Sequence, residues 1–330
     1  MRKLLGNFAL SMATIACCFV LGEVAFRVFD FDKQLEFELD EELYWRFRPN
    51  QSGFLWMGNG SFRSPVMHIN NLCLRGAPVA PPARKKTKIL ALGDSYTFGS
   101  GMRDEETFCS VLERAFEDKV EVFNAGVPGY GIFQMQRLMR RLDPLLHPQI
   151  VLLTFSIGDI FRQPFANAAA ERAYLQAGQK RKQWRHLSRF ATFLYRKFYY
   201  ARVRLTGRVR GVPNEIPSND TAQFVNLWQK DRTRLIEMAN LCRQSKTLFV
   251  IMLWPQQTQA AWDSLVTADI RTLATRDSLI GLVDLNQALA QYPADQLVIP
   301  RDGHPSTTAH QAAGLYLADV IKKFVVATEQ

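Results

Sequence analysis

The sequence predicts an α/β protein, a three-layer α/β/α sandwich built on a parallel sheet of about five strands. Three observations carry that expectation. Short apolar runs recur at residues 88–92, 120–123, 148–155, 247–253 and 280–285, as buried parallel strands require. Stretches with helical spacing separate or follow them, at 105–116, 134–142, 224–243, 258–276 and 306–326. No internal repeat or low-complexity segment competes with this alternation.

Ahead of the first strand, Arg2 and Lys3 precede residues 4–22, nineteen residues without a charge. At about 1.5 Å per residue these cover roughly 28 Å, close to the ~30 Å hydrocarbon core of a bilayer. A cleaved signal peptide is the competing reading. Apolar residues continue to Phe29 with no Ala-x-Ala exit, so residues 1–29 are expected to remain as a membrane anchor. The two basic residues put the N-terminus in the cytoplasm, which makes this a single-pass inner-membrane protein with its body facing the periplasm. Residues 30–87 change character, being rich in aromatics and turns, and predict short strands packed on the main domain. Trp45, Trp56 and Arg75 are candidates for lining a sugar site there, and a purely structural lead-in is the plainer alternative. Residues 78–86 read as a linker into a main domain at 88–330.

The formal charge of +10 would suggest nucleic acid or an anionic membrane if it were evenly spread. Residues 171–210 hold twelve Lys/Arg against one acid, a net +11, which leaves the other 290 residues at −1. Nucleic acid is therefore not an expected partner, and the basicity belongs to an insert at about 162–220. Within it, residues 187–204 interleave aromatic, aliphatic and basic side chains at helical spacing. Three readings fit: a packed helix with a solvated basic face, an interfacial helix on anionic lipid, and a cap over an acidic polysaccharide. Five cysteines make no disulfide framework. Cys17 and Cys18 lie in the apolar N-terminal stretch, Cys109 and Cys242 read as packing residues, and one bridge among Cys73, Cys109 and Cys242 stays open, with no pairing chosen by the sequence.

The chemistry gathers where the first strand ends, in KILALGDSYTFG at residues 88–99. Ser95 stands at the carboxyl end of that strand, where open α/β sheets build their sites. A serine hydroxyl needs a base, and RDGHPS at 301–306 offers His304 with Asp302 two residues before it. Asp284, at the end of the fifth run, is the rival acid. Residues 124–131, NAGVPGYG, place three glycines in six positions at the end of the second strand, where backbone can approach a ligand closely. Trp254 at the end of the fourth strand is a candidate pocket wall. His68, His147, His186 and His310 sit in no catalytic pattern and read as structural or solvated.

In this order the blocks resemble the SGNH/GDSL hydrolase family. They differ from the Gly-x-Ser-x-Gly elbow, because Thr97 stands where its second glycine would be. The resemblance implies a flavodoxin-like order of strands and acyl transfer without cofactor or metal. Ser95 would be the nucleophile, His304 the base and Asp302 its partner, with the amides of Ser95 and Gly129 holding the oxyanion. At residues 156–161 the chain departs from the family, since Gly158 or Asp159, depending on a one-residue shift of alignment, replaces an Asn that donates to the oxyanion. Losing such a donor costs about 10²–10³ in kcat. A carboxylate there would also repel the developing charge, unless burial keeps Asp159 protonated.

The function so implied is a serine esterase acting on an O-acyl ester, O-acetyl by expectation, of a carbohydrate or lipid outside the cytoplasm. The alternatives are an O-acetyltransferase of an extracytoplasmic polysaccharide and a catalytically weak carbohydrate-binding or assembly protein.

Overall fold

The computed structural model describes residues 2–29, 33–79, 86–117, 119–165, 167–206, 221–255, 260–277 and 280–327. Its first element, α1 (Arg2–Phe29), is one uninterrupted helix, long and apolar enough to cross a membrane, with nearly all of its surface exposed. The aromatic lead-in forms three antiparallel pairs. These are β1 (Phe37–Asp40) with β2 (Tyr44–Phe47), β3 (Gln51–Gly53) with β6 (Met67–Ile69), and β4 (Trp56–Met57) with β5 (Phe62–Arg63). Pairs this small do not stand alone in water, so they are held against the body. Tyr130 Oη donates to Trp45 O at 2.5 Å, Gln134 Nε2 donates to Leu43 O at 2.9 Å, and Arg141 grips Asp40 at 2.7 and 3.0 Å. Most of the linker expected at 78–86 lies outside the described residues.

The main body then alternates. It runs β7 (Thr87–Gly93), α2 (Ser95–Phe98), α3 (Phe108–Ala115), β8 (Val120–Gly126), α4 (Ile132–Leu146) and β9 (Ile150–Phe155). The insert follows as two helices, α5 (Ala168–Leu187) and α6 (Arg189–Thr206), and residues 207–220 lie outside the described residues. After it come α7 (Thr221–Gln244), β10 (Leu248–Leu253), α8 (Ala260–Arg276), β11 (Ile280–Asp284), α9 (Asn286–Leu289) and α10 (Thr307–Ala327). Several boundaries differ from expectation, those of α3 and α4 among them. Residues 104–106 form a 3₁₀ turn, so α3 begins late, with the Thr107 side chain accepting from Ser110 N at 3.2 Å as its cap. α4 continues past residue 142 to Leu146 and carries Pro144 in its last turn.

Five strands pair in the order β11-β10-β9-β7-β8, every neighbour parallel. Period-two alternation divides their side chains between two cores. Leu90, Leu92, Val151 and Leu153 meet α4, α7 and α8 on one face. Ile89, Ala91, Leu152 and Met252 meet α3, α9 and α10 on the other. Cys109 and Cys242 are buried and all five cysteines are free thiols, so no bridge involves Cys73. From β7 the chain goes first to one side, to β8, and then crosses to β9 on the other. The crevice beyond the carboxyl ends of β7 and β9 is therefore the topological switch point, where doubly wound sheets place their ligands.

Candidate active site

Three segments meet at that switch point. The first is the turn after β7. Asp94 caps the short helix α2, its Oδ1 accepting from Tyr96 N at 2.9 Å, and this sets Ser95 at the helix start, 8% exposed. Gly99 closes α2 in the left-handed region at φ 74°, and the buried Arg75 holds that closure by donating to Phe98 O at 2.5 Å and to Gly99 O and Met102 O at 2.6 Å. Arg75 thus clamps the Ser95 turn from behind and lines no sugar site. Trp45 is likewise a packing residue, its Nε1 donating to Pro128 O at 3.3 Å.

The second segment is the glycine-rich exit of β8. Val127 N donates to Gly93 O at 3.1 Å, which draws this loop against the Ser95 turn, and Gly129 adopts φ 86°. Gly126 is required here by contact: a Cβ on it would lie 2.1 Å from Phe98 N, inside α2 itself. Asn124 spans the two segments, its Nδ2 donating to Thr97 O at 2.9 Å.

The third is the turn after β9, residues 157–161. Asp159 is 1% exposed, accepts from Ser156 N at 2.9 Å and meets Arg162 Nη1 at 3.0 Å. Its carboxylate is consumed inside the turn. The same Arg162 nitrogen reaches Asp94 Oδ2 at 2.8 Å and Tyr130 O at 3.0 Å, so one guanidinium ties all three segments together. Burial and the neighbouring Asp94 push the Asp159 carboxyl well above the ordinary range, against the pull of Arg162. Gly158 is half-exposed beside it and brings no side-chain donor.

His304 and Asp302 arrive on the loop before α10. Gly303 at φ 88° bends the chain between them, and the His304 ring pairs with Asp302 Oδ1 through Nδ1. Asp302 Oδ2 accepts from Gly58 N at 2.5 Å, a contact supplied by the lead-in. Burial works to raise the Asp302 carboxyl, but the bonds from His304 and Gly58 outweigh it and hold it below the usual range. Tyr96, next to Ser95, sets its ring 6.0 Å from that of His304, so the pair stands over the Ser95 turn. Among the described residues no hydrogen bond joins the Ser95 hydroxyl to His304; in unliganded sites such bonds are commonly long and tighten around substrate. Asp284 is bound instead to Arg271 at 2.6 Å and to Asn286 N at 3.0 Å, away from any histidine. Trp254 lies buried against Tyr96, Phe108 and His310, supporting the turn from below and forming no open wall. His310 is structural: fully buried, with Nδ1 accepting from Phe108 N at 3.2 Å.

Gly58, Tyr96 and Arg162 were not singled out from the sequence. Only Arg162 carried a local signal, a basic residue three positions after Asp159. Gly58 lies 244 residues from its partner, beyond the reach of any local pattern.

The fold and this arrangement define a doubly wound α/β protein with a serine at the carboxyl end of a central strand. The GDSL-like lipase/acylhydrolase family model matches residues 91–312, and the chain belongs to that family, the hydrolases of ester bonds. Among solved structures it is similar to the psychrotrophic esterase EstA of a Pseudoalteromonas species, at 15% identity and TM-score 0.45, covering 73% of this chain and 99% of that one. A putative arylesterase of Agrobacterium tumefaciens is similar at 16% identity and TM-score 0.44, covering 72% and 99%. A putative lipolytic protein of Desulfitobacterium hafniense shows 15% identity and TM-score 0.44, covering 71% and 99%. A search of the curated proteins returns no match.

Proposed function

We propose that the protein is a serine esterase working through an acyl-enzyme on Ser95. The observation that carries this is the Asp302–His304 pair standing over the Ser95 turn at the switch point of the sheet. His304 takes the Ser95 proton as the hydroxyl attacks the ester carbonyl; Asp302 fixes the ring tautomer and stabilises the imidazolium. The amides of Ser95 and Gly129 hold the oxyanion. With the Asp159 carboxylate turned into its own turn, Gly158 is the position that stands in for the third donor, and it supplies none. Departure of the alcohol with the His304 proton leaves the acyl-enzyme, which water then resolves.

We place the site outside the cytoplasm, in a body at residues 88–330 that follows the lead-in at 30–87 and is held at the inner membrane by residues 1–29. The ester is O-acyl, O-acetyl in the first instance, on a carbohydrate or lipid. The test is a burst assay on the detergent-solubilised full chain with acetyl and butyryl nitrophenyl esters, beside Ser95→Ala. A stoichiometric burst that vanishes in Ser95→Ala, with unchanged circular dichroism, is expected. Equal release by both folded proteins would overturn the assignment of Ser95. Supplying a glycan acceptor in the same assay and following acetyl incorporation separates transfer from hydrolysis.

A further inference from the structure

The insert is docked on the N-terminal helix. Glu23 of α1 caps the start of α6: its carboxylate accepts from Ser188 Oγ at 2.7 Å, Phe190 N at 3.0 Å and Arg189 N at 3.2 Å. Phe190 meets Phe19 and Phe26 with ring centroids 5.3 and 5.5 Å away, and Phe193 meets Phe26 at 4.8 Å. Gly22 is where the aromatic sits closest, a Cβ there falling 3.0 Å from the Phe190 ring. Glu23 is the first charge after the nineteen uncharged residues 4–22, so it marks the membrane–water boundary of α1 when that helix spans a bilayer. The start of α6 is therefore fixed at that boundary, whichever way its faces turn.

Its faces are distinct. One side packs on the body: Val203 is buried, and Tyr200 lies against Gly60 and Trp56, two residues along the chain from the Gly58 amide that holds Asp302. The other side shows Tyr195 at 63%, Phe198 at 73% and Leu205 at 87% exposure, positions that fall on one stripe at three- and seven-residue spacing. Arg202 is exposed within this stripe, whereas Lys197 turns to the body, its Nζ 4.8 Å over the Trp56 ring. A helix with an apolar stripe that carries the cation Arg202, beginning where an apolar span ends, matches an interfacial helix, in which buried rings and headgroup attraction add.

We propose that the Tyr195–Phe198–Leu205 face of α6 rests in the headgroup layer of an anionic phospholipid bilayer. The apolar α1 beside it and Arg202 within the stripe commit the surface to lipid. The inference rests on α1 acting as an anchor, and its consequence is that the Ser95 site, joined to α6 through Gly58–Gly60, works close to the membrane surface.

The test uses the full chain reconstituted in vesicles of phosphatidylglycerol with phosphatidylethanolamine, with Cys17, Cys18 and Cys73 replaced by Ser. A nitroxide is placed in turn at positions 195, 198 and 205, and at the exposed position 145 of α4 as reference. Flotation after a carbonate wash reports the anchor separately; protein lost from the vesicles would refute the anchor itself. In carbonate-resistant vesicles, labels at 195, 198 and 205 are expected to collide with oxygen several-fold more, and with a water-soluble nickel chelate several-fold less, than the label at 145. Arg202→Glu, or vesicles of phosphatidylcholine alone, should bring the values towards those of position 145. Nickel accessibility equal to position 145 in anchored, anionic vesicles would overturn the proposal. So would protection that arises only when an acidic polysaccharide is added.

Discussion

At the scale of single residues, the site turns on one absent side chain and one unforeseen one. In the proposed mechanism Gly158 takes the place of the third oxyanion donor, and its backbone is outside the left-handed region, so an L side chain fits its conformation. Gly158→Asn is expected to raise kcat by at least about tenfold with little change in KM, because the new donor acts on charge that develops only in the transition state. Steady-state kinetics on a short acyl ester decide it. Arg162 is the one cation shared by the Asp94 and Asp159 carboxylates. Arg162→Met should therefore cost about 3–5 kcal/mol of stability by leaving buried acid without its partner. Arg162→Lys should recover part of that loss in thermal melts while kcat stays low, since a single ammonium cannot reproduce the guanidinium's planar reach.

Among elements, the decisive contact is that of β8 with α2. Gly126 lets the end of one strand touch the helix that carries Ser95, with Thr97 C only 2.6 Å from where a Cβ would stand. Gly126→Ala is expected to destabilise by about 3 kcal/mol through overpacking and to remove esterase activity. Chemical denaturation and the burst assay report the two effects. A variant with normal stability and normal burst would show that α2 can shift away without harm. The elements themselves were largely legible: short apolar runs marked every main-body strand, and helical spacing marked the covering helices. The boundaries that moved did so for local reasons, such as the 3₁₀ turn at 104–106, whose three acids precede the Thr107 cap.

For the whole molecule, burial of a histidine makes folding acid-sensitive. His310 is enclosed by Phe108, Trp254 and α10, and burial, then Arg75 and His304, push its pKa down from 6.5 to about 3. The folded state thus demands the neutral ring. Its stabilising contribution is complete above pH 6.5 and is lost as pH falls from there towards 3, by about 1.4 kcal/mol per unit from this group. His310→Gln should be less stable at pH 7.5, yet should lose stability less steeply between pH 6 and 4, by about that slope. Denaturant titrations across that range measure it; parallel slopes for the two proteins would contradict this account.

The sequence by itself determined the class of fold, the family and the residues at the centre of the proposed site. These are local or nearly local features: a strand emptying into Gly-Asp-Ser, glycines at a strand exit, an Asp two residues before a His. Tertiary structure decided what joins distant segments. It turned Arg75 and Trp45 from surface candidates into internal clamps and set the Asp159 side chain inward. It also brought Gly58 to Asp302 and Arg162 to Asp94 across 68 residues, and docked α6 on Glu23 across 165. A hydrogen bond between segments leaves no periodic trace in either of them, because its geometry exists only once the layers have closed.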